Sequence, residues 1–330
     1  MRFISNRNIT DPTLNLALEE YALRNLPDDE DYLLFYINEP SIIIGKNQNT
    51  VEEINAEYVE EKGIHVVRRL SGGGAVYHDL GNLNFSFIMK DDGRSFHNFK
   101  KFTEPVVRAL RNLGVEAELT GRNDLQVGER KISGNAQFST KGKMFSHGTL
   151  LFDSEIDHVV SALKANAEKF VSKSTKSIRS RVANITEFLP EPMTIEQFRQ
   201  SLLSSLFEGE AQIPYYELSE QDWDNVRKLA DERYRSWDWN YGRSPAFNVR
   251  QTKRIEGAGT FDVRLQVEEG VIANAMIYGD FFGRGDSDEL AEKFIGVRYD
   301  AASLNRLLDG IDLAYYCGPV TKEQWLELML

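Results

Sequence analysis

The sequence predicts a mixed α+β protein in two parts, a large unit over residues 1–245 and a small one over residues 246–330. Three observations predict it. The 330 residues exceed what one hydrophobic core usually supports. Strand-like runs come as neighbouring pairs with helical stripes between the groups, not as a regular βαβ alternation. From Trp237 the text turns aromatic and then breaks at Gly242, Ser244 and Pro245, a candidate hinge, before new strand-like runs begin.

The elements follow in order. Asp11 and Pro12 read as an N-cap and a first-turn proline. Leu14, Ala17, Leu18, Tyr21 and Ala22 fall at helical spacing, so a helix is expected over 12–25. Strands are expected over 32–37 and 41–45, the second built on Ile42, Ile43 and Ile44. A short helix near 55–62 ends at Gly63, and 64–68 reads as a further strand. The run 84–88 alternates polar and apolar. Phe99, Phe102, Val106, Leu110 and Leu113 give a helical stripe that stops at Gly114 in the C′ position. Strands near 124–128, 130–139 and 143–152 follow, then helices near 155–163, 194–207 and 219–233. Beyond the break come strands near 247–251, 258–267 and 271–278, and helices near 286–294 and 300–308. There is no internal repeat and no low-complexity tract.

Composition narrows the function classes. Apolar residues make up 41% and charged residues 27%, ordinary for a globular protein. No apolar run approaches the ~20 residues that cross a bilayer, and the N-terminus lacks the apolar region of a secretory signal. With Cys317 as the one cysteine, a disulfide framework and a multi-cysteine zinc site are excluded. A cytoplasmic protein without membrane partners is expected. The formal net charge of -12 argues against nucleic-acid binding, which draws on a basic footprint. It also opposes long-range attraction to an acidic protein, so such docking needs a local basic patch.

Three segments could carry chemistry. In the first, Arg68 and Arg69 precede Leu70, Ser71, Gly72, Gly73 and Gly74, and Ala75, Val76, Tyr77 and His78 follow. Three glycines cost backbone entropy, and one return is a loop whose bare N–H groups wrap an anion. The arginines could add charge-assisted bonds to phosphate or carboxylate. This is no P-loop, because no Gly-Lys-Ser/Thr follows. On glycine count alone, a flexible turn with solvated arginines explains the text equally well. In the second segment, Asn123 and Asp124 precede Arg130, Lys131, Ile132, Ser133 and Gly134. A lysine held there could steady the charge that develops when a carboxylate attacks phosphorus, although most lysines are plain surface charges. The third, His147, Gly148, Thr149 and Leu150, could form a pocket-lining strand.

Together, in this order, the segments resemble the lipoate–protein ligase A family of the biotin/lipoate protein ligase superfamily. The resemblance starts at Asn15–Glu20, continues through Ser180–Asn184, reaches 237–247 and is weakest after 250. It implies a biotin/lipoate-ligase-like catalytic domain with mixed sheets and flanking helices, plus a small α+β C-terminal accessory domain. It implies formation of lipoyl-AMP from lipoate (or octanoate) and ATP with Mg2+, then transfer to a carrier lysine. The implied carriers are lipoyl domains of 2-oxoacid dehydrogenases and the glycine-cleavage H protein.

Carried over by motif, Lys131 would be the catalytic residue, contacting the acyl carbonyl and the α-phosphate. Arg69, Gly74, Ala75, Val76 and Tyr77 would hold ATP and line the acyl tunnel. Asn123 and Asp124 would sit near the adenylate and its metal, with Asp124 as the metal-side carboxylate. Lipoate would lie against Ser71, Gly72, Gly73, Gly74, Lys131, His147, Gly148 and Thr149. The basic segment 164–181, with Lys173, Lys176, Arg179 and Arg181, resembles the family's adenylate-binding loop and is expected to close over the intermediate. A solvated helix face is the alternative. His78 and His147 are expected to serve structure, mainly by bonding nearby backbone. Related acyltransferases work without ATP through a cysteine, which residues 1–245 lack. A transferase using preformed lipoyl-AMP and a non-catalytic carrier binder remain alternatives.

Overall fold

The computed structural model describes residues 1–163, 181–208, 210–241, 249–268, 270–299 and 301–330. The boundary expected near 245 lies outside them. In chain order the elements are β1 (Arg2–Ile4), α1 (Pro12–Asn25), β2 (Tyr32–Ile37), β3 (Ser41–Ile44), α2 (Thr50–Glu53), α3 (Ala56–Lys62), β4 (His65–Arg68), β5 (Val76–His78) and β6 (Asn82–Lys90). Then come α4 (Phe99–Asn112), β7 (Ala117–Thr120), β8 (Asp124–Val127), β9 (Arg130–Thr140), β10 (Lys143–Leu151), α5 (Ile156–Ala162), α6 (Ile195–Leu206), β11 (Tyr215–Tyr216), α7 (Glu220–Leu229) and α8 (Trp237–Asn240). The C-terminal part contributes β12 (Val249–Ile255), β13 (Gly259–Glu268), β14 (Val271–Gly279), α9 (Ser287–Glu292), α10 (Ala301–Leu308), α11 (Leu313–Cys317) and α12 (Lys322–Met329).

One sheet of eight strands, in the order β11-β1-β2-β6-β10-β9-β8-β7, carries the large domain. Beside it lies a small sheet, β4-β3-β5. The period-two geometry of a strand explains why the text of β2 is apolar throughout. Leu33 and Phe35 enter one core with Phe85, Leu110 and Phe198, while Leu34 and Tyr36 enter the other with Leu16, Trp223 and Tyr234. Helices α4 and α6 thus cover one face of the sheet, and α1 and α7 the other.

The predicted helix signals hold. Asp11 accepts from the N–H of Thr13 at 2.8 Å with Pro12 at the first position, and Gly114 takes φ +84 after α4. The helix expected over 219–233 runs as α7 and then widens into a π turn at Ala230–Tyr234. The sequence did not predict α2, α8, α11, α12 or the short strands β1, β7 and β11.

The C-terminal domain is an antiparallel meander, β12-β13-β14, backed by α9 to α12. Phe261 stacks on Phe281 at 4.5 Å and meets Trp325 edge-on at 5.4 Å, and Cys317 is fully buried in the same core. This domain sits over the glycine cluster. Asn47 holds it twice: its carbonyl accepts from Gly279 N–H at 2.5 Å, and its Oδ1 accepts from Ser287 Oγ at 2.9 Å. Lys46 pairs with Asp286 at 2.9 Å, and the Arg122 guanidinium lies 4.4 Å over the Phe282 ring.

Candidate active site

A cavity of ≈ 130 Å³ opens where the glycine segment, β9 and β10 meet. Of the residues singled out in the sequence, Arg69, Gly73, Gly74, Ala75, Val76, Asn123, Lys131, His147, Gly148 and Thr149 line it. Segments 80 residues apart in sequence converge because β10 pairs with β9 in register His147 to Ala136. The small sheet brings the glycine loop alongside, with β5 paired to β3.

Lys131 reaches the cavity through an irregularity. In β9 it lies three residues from Gly134, so regular alternation would put the two on opposite faces. A register shift in the β8–β9 pair sets Lys131 opposite Gln126 and Gly134 opposite Asp124, which turns both to one face. A Cβ placed on Gly134 would stand 3.1 Å from Lys131 Nζ, and Nζ itself lies 2.9 Å from Asp124 Oδ1. The Lys131 backbone is clamped as well: its N–H donates to Arg181 O at 2.7 Å and its carbonyl accepts from Ala183 N–H at 2.9 Å. Arg181 is thereby tied to Lys131 through its carbonyl, while Lys173, Lys176 and Arg179 lie outside the described residues.

The glycine segment has several tasks. A Cβ on Gly72 would meet Phe281 O at 2.2 Å, and one on Gly73, where φ is +90, would meet the Phe282 ring at 2.9 Å. Those two glycines let the C-terminal domain approach. Among the described residues a Cβ on Gly74 would meet nothing within 4 Å, which leaves it the open one of the three. The arginines differ from the expectation of free anion binders. Arg68 is buried and donates to the carbonyls of Gly45, Lys46, Gln48 and Trp239, stapling loop to helix without lining the cavity. Arg69 does line it, and donates to Ile43 O, Gly72 O, Gly74 O and Ser71 Oγ. Burial pulls both guanidinium groups down to about 10.

Four other expected residues do not line the cavity. Ser71 and Gly72 lie behind it, Asp124 touches it only through Lys131, and Tyr77 points away because β5 alternates. Tyr77 instead stacks on His158 at 6.4 Å. The histidines are structural in their bonding, but their partners are side chains, not the backbone expected. Asn38 Nδ2 approaches His78 Nδ1 at 2.9 Å, and His147 lies between Ser71 at 2.7 Å and Glu19 at 2.9 Å. Burial first, then the charge of Arg69, push His78 down to about 3. Among the described residues its Nε2 has no hydrogen-bond partner, and the residue lines the cavity.

The reading missed Tyr36, Asn84, Asn135 and Phe282 as lining residues. Tyr36 had a signal, an aromatic at the cavity end of a strand buried on both faces. Phe282 had none, since only the docking of the second domain brings it there.

Residues 11–207 match the family model of the lipoyl protein ligase A/B catalytic domain, and residues 244–329 that of the bacterial lipoate protein ligase C-terminus. The chain belongs to the lipoate–protein ligase family. Lipoate-protein ligase LplJ of Bacillus subtilis (strain 168) is 60% identical over 331 residues, with 100% of each chain covered. Among solved structures, P. falciparum LipL1 in complex with lipoate superposes with a TM-score of 0.80 at 26% identity, covering 99% of this chain and 97% of that one. A bipartite ligase from Thermoplasma acidophilum, solved in work on that ligase and its E2 lipoyl domain, gives 0.65 at 34%, covering 75% and 98%. A lipoate-protein ligase A bound with ATP gives 0.61 at 31%, covering 73% and 98%. This ligase therefore carries both the catalytic and the C-terminal domain. Among the described residues no helix is long and apolar enough to cross a membrane.

Proposed function

We propose that this chain activates free lipoate, or octanoate, with ATP and Mg2+ to an acyl-AMP and transfers the acyl group to the lysine of a lipoyl carrier domain. One observation carries the reading: Lys131 lines the same cavity as Gly74 of the glycine loop and Gly148 and Thr149 of β10. Two anions must meet there, a carboxylate and the α-phosphate, so a fixed cation within reach of both is what the step requires. A carboxylate oxygen attacks the α-phosphorus and pyrophosphate leaves. The carrier's neutral amine then attacks the acyl carbon and AMP leaves with the bonding pair.

In this account Asp124 holds Lys131 in place, Arg69 fixes the glycine loop, and Gly74, Ala75 and Val76 lie against the adenylate. Gly148, Thr149 and His147 lie along the acyl chain. Among the described residues no group of three or more His, Cys, Asp or Glu is placed to hold a metal. A magnesium ion would be carried mainly by the nucleotide phosphates and one carboxylate. Asp124, beside Lys131, would supply that carboxylate, and the ion would neutralise phosphate charge. Cys317 does not serve as a nucleophile: it is in the core of the other domain, and burial pushes its thiol far above its usual range.

The ligase name of the 60% identical relative and the ATP carried by a structural neighbour both support this reading. The lipoyl domain studied with the archaeal ligase supports a 2-oxoacid dehydrogenase carrier, with the glycine-cleavage H protein as the other carrier we infer. A cytoplasmic setting goes with ATP as co-substrate. The test is protein, MgATP and lipoate without carrier, followed by mass spectrometry. A lipoate-dependent acyl-AMP with pyrophosphate is expected. Neither product, with or without an added lipoyl domain, would overturn the reading.

A further inference from the structure

We propose that Glu19 is a positioning residue for the glycine loop, acting through the tautomer of His147; this rests on the ligase reading above. Glu19 lies on α1, within the Asn15–Glu20 stretch and well before the glycine segment in sequence, and is 2% exposed. Its carboxylate oxygens stand 2.9 and 3.1 Å from His147 Nδ1. A carboxylate can only accept, so Nδ1 carries the proton. In the neutral ring Nε2 is then an acceptor, and the Ser71 hydroxyl, 2.7 Å away, donates to it. Ser71 Oγ in turn accepts from Arg69 Nε at 2.9 Å.

Donation therefore runs one way, from the Arg69 guanidinium through Ser71 and His147 to Glu19. Each middle group donates once and accepts once, with a cation at one end and an anion at the other. An imidazolium would break that order, since Ser71 would accept twice and its own hydrogen would lose its acceptor. The four residues are all buried, so a broken link is left unsatisfied. At the cationic end, Arg69 Nη2 holds Gly72 O at 2.6 Å and Gly74 O at 2.8 Å. Both loop carbonyls are turned onto a cation, which keeps them off the face that a phosphate approaches. Glu19 thus fixes, at third hand, the loop shape that receives the nucleotide, while touching neither substrate.

Glutamine at this position removes the constraint, because an amide can offer Nδ1 either an acceptor or a donor. When it donates, the ring proton moves to Nε2 and competes with Arg69 for Ser71. The test uses the full-length protein with 15N-labelled histidine. In the wild type without substrate, His147 should be neutral with its proton on Nδ1; an Nε2–H ring or an imidazolium at pH 7.5 overturns the proposal. In Glu19→Gln an Nε2–H population should appear, and the KM for ATP should rise about 10-fold or more, the loss of one charge-assisted bond. An unchanged tautomer, or a changed tautomer with an unchanged KM, overturns it. Ser71→Ala cuts the same chain without touching α1 and guards against a Glu19 variant that fails to fold. It should raise the ATP KM similarly, and adding Glu19→Gln to it should cost little more; full additivity would count against the relay. Acyl-AMP formation by the wild type tests the ligase reading separately, because the tautomer is read without any reaction.

Discussion

Lys131 Nζ and Asp124 Oδ1 stand 2.9 Å apart across a β-bulge, and the bulge is what turns Lys131, with Asp124 behind it, toward the cavity. Substituting Lys131→Ala removes the one lysine that lines the cavity among the described residues. Adenylation should fall about 10²–10³-fold, the scale of losing one donor aimed at developing charge. Lipoate binding should suffer less. Single-turnover formation of acyl-AMP measures the first and equilibrium titration the second; a rate loss under roughly fivefold removes Lys131 from the central role.

Gly148 looks at first like a residue kept small for a ligand, yet its neighbours inside the sheet already demand it. A Cβ there would stand 2.2 Å from Asn135 Oδ1 and 2.5 Å from the Phe85 ring. Gly148→Ala should therefore destabilise the fold by about 1–3 kcal/mol through overpacking, before any effect on substrate. Denaturant titration of the ligand-free protein reads this directly. A wild-type midpoint together with weakened lipoate binding would assign the glycine to the ligand alone.

These two positions show what the sequence could and could not say. The order of strands and helices was legible because β2 is an unbroken apolar run and β6 alternates, while α1 and α4 keep helical spacing and clear caps. The convergence of the glycine segment, Lys131 and His147 was legible only through the order of whole motifs. The bulge that aims Lys131 was not, since it depends on how β8 pairs with β9. Nor was the place of Glu19, because an acidic residue on a helix reads as solvated until its buried partners are known. Tyr77 was misplaced for a related reason: membership in a motif does not say which face of a strand a residue takes.

His78 makes stability depend on pH. Burial, then Arg69, hold it near 3, below the 6.5 expected unfolded. The unfolded chain therefore binds more protons between those values, so this contribution is whole above pH 6.5 and is lost as pH falls toward 3. Each pH unit in that window should remove up to about 1.4 kcal/mol. In His78→Gln that share of the slope should vanish while activity at neutral pH stays near wild type. Unfolding free energies from pH 7 down to 4.5 measure it, and equal slopes in the two proteins would show that His78 titrates normally.

The hold of the C-terminal domain on the glycine loop divides unequally between two neighbours. Lys46 and Asp286 form the visible ion pair, with side chains 20% and 47% exposed. Burial opposes ionisation of Asp286, but Lys46 and the N–H groups of Asp288 and Glu289 outweigh it and keep the carboxyl below its usual range. Its contribution is therefore present at neutral pH and lost in acid. Exposed pairs are worth at most about 1 kcal/mol and are screened by salt. Asn47, by contrast, is buried with Ser287, and removing its amide strands a buried hydroxyl at a cost of about 1–3 kcal/mol. Asn47→Ala should loosen the domain more than Asp286→Asn, and only the second effect should shrink at high salt. Small-angle scattering reports the opening as a larger radius of gyration. If Asp286→Asn opened the molecule further than Asn47→Ala, the surface pair would be the true latch, and the buried bonds to Asn47 a consequence of docking.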